Sequence, residues 1–284
     1  MEILQAIVMG VVQGVTEFLP ISSSAHLRIT PALLGWPDFG AAFTAVIQLG
    51  TLVAVLVYFR TDLLAITRAM VGAISDPARR SSKEARLALG LVVATLPVGI
   101  VGLTLKKHIE GPFRSLWVVV ATMVGVAIVI EIAERISRGT RVLADTTLKD
   151  AVLVGCAQAC AVVPGVSRSG ATLAAALLLG LRRDEGARFS FLMSIPAIGA
   201  AGLFELKHAL RPARDVAEAA ATAHPATPVM IVIASLVSLV VGYASIAWLI
   251  GYLKRHSMSV FVVYRLLLGG TLAGLLLAGI LQPR

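Results

Sequence analysis

Six long apolar stretches constrain the fold of this chain more than any other feature. A helix needs about 20 apolar residues to cross roughly 30 Å of hydrocarbon. Only 14% of the 284 residues are charged and 57% are hydrophobic, which leaves too little polar surface for a soluble domain of this size. We therefore predict an all-α integral membrane protein with a single membrane domain, residues 1–284. The predicted transmembrane helices are residues 39–59, 86–105, 116–133, 189–206, 228–250 and 260–281.

Two further apolar regions are interrupted by proline and polar residues. Residues 3–34 are broken at Pro20 and the serines that follow it, and residues 150–181 are broken between Pro164 and Gly170. The apolar arm on either side of each break is too short to cross a bilayer comfortably. Irregular backbone at membrane depth is tolerated only inside protein or against a water-filled cavity. We therefore predict two re-entrant helical hairpins in addition to the six transmembrane helices.

The two broken regions also indicate an internal duplication. Pro20 and Pro164 each precede a serine cluster, and Gln13 and Gln158 each precede the proline by a similar distance. The shared order predicts repeat 1 at about residues 1–145 and repeat 2 at about residues 146–284. Each repeat would contain one hairpin and three crossings, and because three is odd the second repeat must be inverted. The tips of the two hairpins are then expected to meet near the middle of the membrane.

The distribution of basic residues predicts the orientation of the chain. Fifteen lie on one predicted side, between residues 60 and 255, and seven lie on the other. The positive-inside rule places the first set in the cytoplasm and both termini outside. It also accounts for the net charge of +9, so nucleic-acid binding is not predicted. Residues 207–227 form the one sizeable outer loop. Three basic residues fall in or beside apolar regions, namely Arg28, Arg168 and Arg265.

The first broken segment carries a carboxylate, three hydroxyls and an imidazole. An ionisable side chain in lipid costs about 2.5–3.5 kcal/mol on insertion scales, so Glu17 and His26 indicate a functional site. A serine hydroxyl is a good nucleophile only when a neighbouring base takes its proton. Ser23 has His26 three residues after it and Glu17 six residues before it. Alternatively, the serines at 22–24 cap the helix that follows, and capping by one serine does not exclude catalysis by another.

The second broken segment has the composition of an anion site. Gly165 and Gly170 enclose Ser167, Arg168 and Ser169, and an apolar helix is predicted to follow. Backbone amides at a helix N-terminus, two hydroxyls and a planar guanidinium favour a phosphate or carboxylate ligand. The alternative is a solvated loop outside the membrane, and the apolar flanks on both sides argue against it.

Where the two tips meet, a nucleophile, a base, a carboxylate and an anion clamp would come together. Arg265, in the last predicted helix, is either a second cation for this site or an interior structural charge, and the sequence leaves both readings open. Phosphoryl transfer depends mainly on positioning and charge stabilisation, so these groups are sufficient to hydrolyse a phosphate ester or anhydride. The sequence has no Walker loop, so coupling to ATP is not predicted.

The motifs from Gln13 to His26 and from Pro164 to Thr172 resemble the two signatures of the undecaprenyl-pyrophosphate phosphatase family, also called the bacitracin-resistance (BacA) family. The resemblance covers the whole chain, including the segments at residues 47–50, 189–196 and 264–266. It implies a multi-pass protein of the bacterial inner membrane. It also implies removal of the terminal phosphate from undecaprenyl pyrophosphate, which gives the monophosphate carrier that cell-wall synthesis reuses.

The family resemblance also implies roles for individual residues. It assigns catalysis to Glu17, Ser23, His26 and Arg168. Our hypothesis is that Ser23 attacks the terminal phosphorus while His26 and Glu17 manage its proton. Direct activation of water by His26 or Glu17 stays open as the alternative. The residues expected to contact the substrate are Gln13, Ser22, Ser24, Gly165, Ser167, Ser169, Gly170, Thr172 and Arg265.

The resemblance implies a polyprenyl pyrophosphate partner within the lipid bilayer and a site open to the outer face. A divalent cation, Mg or Ca, stays open, because only Glu17 is an evident hard ligand and position 13 is Gln where the family also uses Glu. The sequence leaves the oligomeric state open. The alternative function is a transporter or flippase of a polyprenyl phosphate lipid, since inverted repeats with broken helices also occur in transporters.

Overall fold

Helices make up almost all of the regular structure. The computed structural model describes residues 2–105, 108, 112–209 and 227–282, and of residues 41–42, 114, 201 and 203–209 it describes the backbone only. Within those ranges there are eleven α-helices, three short 3-10 helices and no strand. The α-helices are α1 Glu2–Thr16, α2 Ser23–Leu34, α3 Gly40–Tyr58, α4 Arg60–Ser75, α5 Lys83–Thr104, α6 Leu116–Ile136, α7 Leu148–Cys160, α8 Arg168–Leu178, α9 Arg183–Ala209, α10 Pro228–Leu253 and α11 Ser259–Leu277.

Each predicted apolar stretch coincides, fully or for most of its length, with one helix. These helices are α3, α5, α6, α9, α10 and α11. Four of them, α5, α6, α10 and α11, are by themselves long and apolar enough to cross a membrane. A helix that the sequence reading treated as a loop, α4, follows α3 directly and bends from it by 77°. The all-helical membrane fold is therefore confirmed, whereas the number of crossings stays a prediction.

Both predicted breaks are present. The first separates α1 from α2 over residues 17–22, and the second separates α7 from α8 over residues 161–167. Ser22 has φ 77° and Ser167 has φ 71°, and no other non-glycine residue in the described part of the chain has a positive φ. Such a conformation costs a residue with a Cβ about 1–3 kcal/mol, so the surrounding packing must fix it. The two tips therefore adopt the same strained backbone conformation, one at Ser22 and one at Ser167.

Four helix pairs join the first half of the chain to the second half. Helix α1 packs on α10 and α7 packs on α5, while α3 packs on α9 and α6 packs on α11. Glycines permit the closest of these contacts, because a Cβ on Gly10 would lie 2.6 Å from the carbonyl oxygen of Ala234 and one on Gly155 would lie 2.4 Å from that of Ala94. In both cases the first arm of a hairpin contacts a helix of the other half of the chain.

The mouth of the second hairpin is closed by Arg141. Its guanidinium contacts the Asp150 carboxylate at 2.6 Å and donates to the carbonyl of Leu179 at 2.7 Å, so it joins the start of α7 to the end of α8. The hydrogen bonds that Arg141 donates to Asp150 raise the pKa of Arg141. Of the predicted outer loop at residues 207–227, residues 210–226 lie outside the described part of the chain, as do Lys106, Lys107 and Arg284.

Candidate active site

The tips of the two broken segments touch each other. Ser169 Oγ donates to the carbonyl of Leu19 at 2.9 Å, and the backbone amide of Gly165 donates to Ser24 Oγ at 3.4 Å. A serine side chain of each broken segment thus contacts the backbone of the other segment. The residues that carry chemistry lie around this junction.

Glu17 is the centre of the polar network. Its side chain is buried, with 4% exposed, and its Oε1 forms an ion pair with Arg168 Nη2 at 3.1 Å. The other oxygen, Oε2, accepts hydrogen bonds from Ser23 Oγ at 2.8 Å and from Gln13 Nε2 at 3.0 Å. A buried carboxylate is stable only when it is paired and hydrogen-bonded, and these three contacts meet that condition. One carboxylate therefore links a hydroxyl of one tip to the guanidinium of the other.

The adjacent serines of the first tip have different roles. Ser22 is the N-cap of α2, and its buried hydroxyl accepts a hydrogen bond from the amide of Ala25 at 3.4 Å. Ser23 is the first residue of α2, is partly exposed, and directs its hydroxyl to Glu17. One serine therefore caps the helix, as the alternative sequence reading proposed, and the next keeps its hydroxyl beside a base.

His26 lies one helical turn after Ser23 and makes contacts that the sequence reading did not foresee. Its Nδ1 lies 2.8 Å from the carbonyl oxygen of Ser22, and because a carbonyl can only accept, Nδ1 carries the proton. Its Nε2 lies 2.6 Å from the hydroxyl of Tyr264, and the two rings are stacked at 11°. With Nδ1 protonated, the neutral imidazole accepts the Tyr264 hydroxyl at Nε2.

Two buried polar atoms beside Glu17 have no hydrogen-bond partner within the described part of the chain. They are Arg168 Nε and Gln13 Oε1. The guanidinium of Arg168 also donates from Nη1 to the carbonyl of Ser190 at 3.2 Å, which fixes its plane. A buried donor left unpaired costs about 1–3 kcal/mol, so the free edge of Arg168 is suited to an anionic ligand or an ordered water.

Arg265 holds the irregular backbone of both tips. Its side chain is fully buried, and it donates to the carbonyls of Pro20 at 3.2 Å and Gly165 at 2.8 Å. It also donates to two carbonyls of α6, those of Met123 and Thr122. Among the described residues its hydrogen bonds all go to main-chain oxygens. The geometry favours the interior structural charge over the second cation.

The remaining residues of the second motif are buried and hydrogen-bonded within the protein. Ser167 caps α8 by accepting from the amide of Gly170 at 3.1 Å, as Ser22 caps α2. Thr172 Oγ1 lies 2.6 Å from Ser190 Oγ. Together with the bond from Ser169 to the first tip, these contacts leave Arg168 as the partly exposed side chain between Ser167 and Ser169.

The comparison with known proteins agrees with this geometry. The family described as "Bacitracin resistance protein BacA" matches residues 6–271. This chain belongs to that family. BacA relatives named undecaprenyl-diphosphatase include one from Myxococcus xanthus, 49% identical over 100% of this chain and 92% of the relative. Others are from Chloroherpeton thalassium, 46% identical over 99% of each chain, and from Nocardioides sp., 45% identical over 99% of this chain and 98% of the relative. These names do not favour the transporter alternative.

The donors of this BacA site do not fit a divalent cation held by the protein alone. No group of three His, Cys, Asp or Glu side chains comes together within the ranges that the structure describes. Glu17 is the one carboxylate in the network, and Arg168 already supplies the positive charge beside it. A cation would be repelled by the guanidinium, so we derive no chemical step through a metal.

Sequence reasoning missed two residues of the BacA site. Tyr264 lies in the segment at residues 264–266 that shares the family resemblance, but it lies far from the first motif in sequence and was given no role in the site. Thr122 was also missed, although its hydroxyl donates to the carbonyl of Pro164 at 2.7 Å. It stands in α6 roughly where Arg265 stands in α11, so an alignment of the two repeats beyond the motifs would have indicated it.

Proposed function

We propose that this protein hydrolyses undecaprenyl pyrophosphate to undecaprenyl phosphate and inorganic phosphate, and so returns the lipid carrier to cell-wall synthesis. The observation that carries the proposal is the bridge from Ser23 through Glu17 to Arg168, which sets a nucleophile and its base beside an anion clamp. The name undecaprenyl-diphosphatase, given to the BacA relatives, supports undecaprenyl pyrophosphate as the substrate.

In the first step Ser23 Oγ attacks the terminal phosphorus and gives its proton to Glu17 Oε2. The bond from Oγ to phosphorus forms as the bond from phosphorus to the bridging oxygen breaks, and undecaprenyl phosphate leaves with the bridging oxygen. Arg168 binds the phosphoryl oxygens through its unpaired Nε edge and stabilises the negative charge on them during transfer.

In the second step a water molecule attacks the phosphoserine. The Tyr264 hydroxyl first moves away from His26 Nε2, and this nitrogen then takes a proton from the water. As the bond from phosphorus to Ser23 Oγ breaks, Oγ takes back its proton from Glu17. The contact at 2.8 Å between Ser23 and Glu17 supports the serine as nucleophile over direct attack by water, because the hydroxyl already shares its proton with a base.

The other motif residues act as positioning groups in this proposal. Ser22 and Ser167 set the two strained turns, Ser24 and Ser169 join the tips, and Arg265 holds both. Thr172 fixes the start of α8. Gly165 and Gly170 allow close approach at the second tip, and Gln13 orients Glu17 and presents its free Oε1 to the site. In this proposal the hydroxyls of Ser167, Ser169 and Thr172 hold the protein backbone and side chains in place and do not bind phosphate directly.

We further propose six crossings and two re-entrant hairpins in an inverted repeat, with the site open to the outer face of the bacterial inner membrane. The exchanged packing of α1 on α10 and of α7 on α5 supports the repeat, since an inverted duplication brings each hairpin against the other half. The excess of basic residues on one side supports the orientation.

Phosphate release from a C55 pyrophosphate by the purified protein in detergent tests the function. We expect Arg168→Ala to lower the rate by roughly 10²–10³-fold, as for loss of a charge-stabilising donor. The matched control is Arg135→Ala, which removes an exposed arginine paired with Glu131 and should leave the rate unchanged. A wild-type protein that releases no phosphate, or an Arg168→Ala variant as fast as wild type, contradicts the proposal.

Trapping of the phosphoenzyme decides between serine and water as nucleophile. In a His26→Ala variant the second step is slowed, so we expect labelled phosphate from the terminal position to accumulate on Ser23 and to be found there by peptide mass spectrometry. The Ser23→Ala, His26→Ala double variant is the control. Slow turnover without a labelled serine would indicate direct attack by water.

A further inference from the structure

A large cavity lies away from the candidate active site. It has a volume of about 500 Å³ and lies between the C-terminal ends of α6, α8 and α10. Its basic lining residues belong to the predicted cytoplasmic set. The proposed hydrolysis uses none of its residues.

Unpaired positive charge distinguishes this cavity. Four basic side chains line it, and two of them have acidic partners within the cavity, Arg183 with Glu134 and Arg182 with Asp184. The hydrogen bonds that Arg182 donates to Asp184 raise the pKa of Arg182. Within the described ranges the other two basic side chains have no ion-pair partner. They are Arg138 and Lys254.

Aromatic residues beside the cavity indicate its depth in the membrane. Helix α10 ends in a ladder of stacked rings, in which Trp248 lies 5.1 Å from Tyr252 and Tyr252 lies 4.5 Å from His256. The Trp248 side chain is 52% exposed on the surface of α10. Tryptophan and tyrosine concentrate at the level of lipid headgroups. Lys254 follows this ladder, so its ammonium group is placed where phosphates of lipids lie.

A second cavity lacks this charge among its described lining residues. It has a volume of about 330 Å³ and is lined by the end of α2, the start of α6 and the residues after α11. Under the proposed duplication α2 corresponds to α8 and α11 corresponds to α6. Its described lining has one basic residue, Arg28, which is paired with Asp38. Of the two cavities, the first alone is lined by described basic side chains without an ion-pair partner.

From these observations we infer that the cavity at the ends of α6, α8 and α10 is a binding site for the phosphate of an anionic phospholipid headgroup. Arg138 can grip two phosphoryl oxygens with its planar fork, and Lys254 adds a second charge from the interface. Basic pockets between transmembrane helices on the cytoplasmic side are suited to such headgroups. This site is separate from the proposed phosphatase reaction and does not depend on it.

Lipid binding to the purified protein tests the inference. Native mass spectrometry would compare cardiolipin, phosphatidylcholine and inorganic phosphate as probes. The test variant is Arg138→Gln with Lys254→Gln, and the matched control is Arg68→Gln with Arg255→Gln, which removes two exposed basic residues that do not line the cavity. We expect cardiolipin to bind at least about tenfold more weakly to the test variant than to the control, since each basic side chain near anionic lipid contributes about a fivefold factor and two are removed.

Two further arms keep the outcome interpretable. Lys254→Arg with wild-type Arg138 should retain cardiolipin binding, and phosphate release from the C55 substrate should be the same for the test variant and the control, which shows that both are folded. Equal loss of binding in the test and control variants overturns the inference. Binding of inorganic phosphate as tight as that of cardiolipin also overturns it, because the ligand would then be a soluble anion.

Discussion

At the scale of the residue, the site depends on one buried carboxylate shared between two tips. Glu17 accepts a hydrogen bond from Ser23 and is the counter-ion of Arg168, and in the proposed reaction it is also the base for Ser23. Removing one partner of a buried ion pair leaves the other uncompensated, which costs about 3–5 kcal/mol. For any substitution at Glu17, the effect on the reaction rate and the effect on stability must therefore be measured separately.

The first prediction concerns the base. Glu17→Gln keeps the size of the side chain but removes the charge and the proton acceptor for Ser23. We expect kcat for phosphate release to fall by about 10²–10⁴-fold, the range for loss of a general base. Glu131→Gln, which removes the partner of exposed Arg135, is the control and should change kcat less than about twofold. A Glu17→Gln variant within threefold of wild type would show that another group accepts the proton.

The second prediction concerns the partner of the imidazole. Tyr264→Phe keeps the ring stacked on His26 but removes the hydroxyl that occupies Nε2. Water must displace this hydrogen bond, worth about 1 kcal/mol, before it reaches Nε2, so we expect kcat to rise by up to about fivefold with KM unchanged. Tyr243→Phe is the control, because Tyr243 packs on Tyr58 away from the site. A change in KM alone would indicate that Tyr264 contacts the substrate rather than positioning His26.

At the scale of the element, each tip is a short strained turn that the rest of the protein fixes in place. Pro20 and Pro164 end the preceding helices, serine caps begin the next ones, and Arg265 and Thr122 satisfy the carbonyls released between them. Every freed backbone group must find a partner where water is scarce. The two tips use this one solution at equivalent positions, which explains why the serine motif occurs twice although only the first tip carries Glu17.

The third prediction concerns the second tip. Gly165 has φ 90°, and a Cβ there would lie 2.1 Å from Thr122 Oγ1 and 2.8 Å from the carbonyl of Val119. We expect Gly165→Ala to lower the free energy of unfolding by about 2–4 kcal/mol through strain and overpacking, measured by thermal or denaturant unfolding in detergent. Gly180→Ala is the matched control, since Gly180 has φ 84° but its nearest neighbour atom would be at 3.6 Å. Equal losses at the two glycines would attribute the effect to φ alone.

At the scale of the whole molecule, the helix before each break packs on a helix from the other half of the chain. The site forms only where the tips meet, so neither half has Glu17, Ser23 and Arg168 together. Helix α4 adds a feature outside the duplication, because it bends from α3 by 77° and exposes Leu64, Val71 and Ile74. An exposed apolar face beside arginines is typical of a helix that lies in the membrane interface.

The fourth prediction tests the orientation of the halves. In a protein with Cys156 and Cys160 replaced by serine, a membrane-impermeant thiol reagent applied to intact cells should label Ala32→Cys and not Ser81→Cys. Ala32 lies near the end of α2 on the predicted outer side, and Ser81 lies between α4 and α5 on the basic side. Both positions are exposed, so each should react after the membrane is made permeable. The reverse labelling pattern would contradict the proposed topology.

The sequence by itself determined the helical membrane fold, both breaks and the identities of the acid, hydroxyl and guanidinium of the site. These are properties of local composition, since apolar length fixes a helix and a charge among apolar residues requires a partner. Tertiary structure decided the pairings. Ser23 bonds to Glu17 rather than His26, His26 bonds to Tyr264, and Arg265 holds backbone. Contacts between residues far apart in sequence depend on how the two halves dock, and no local pattern records that.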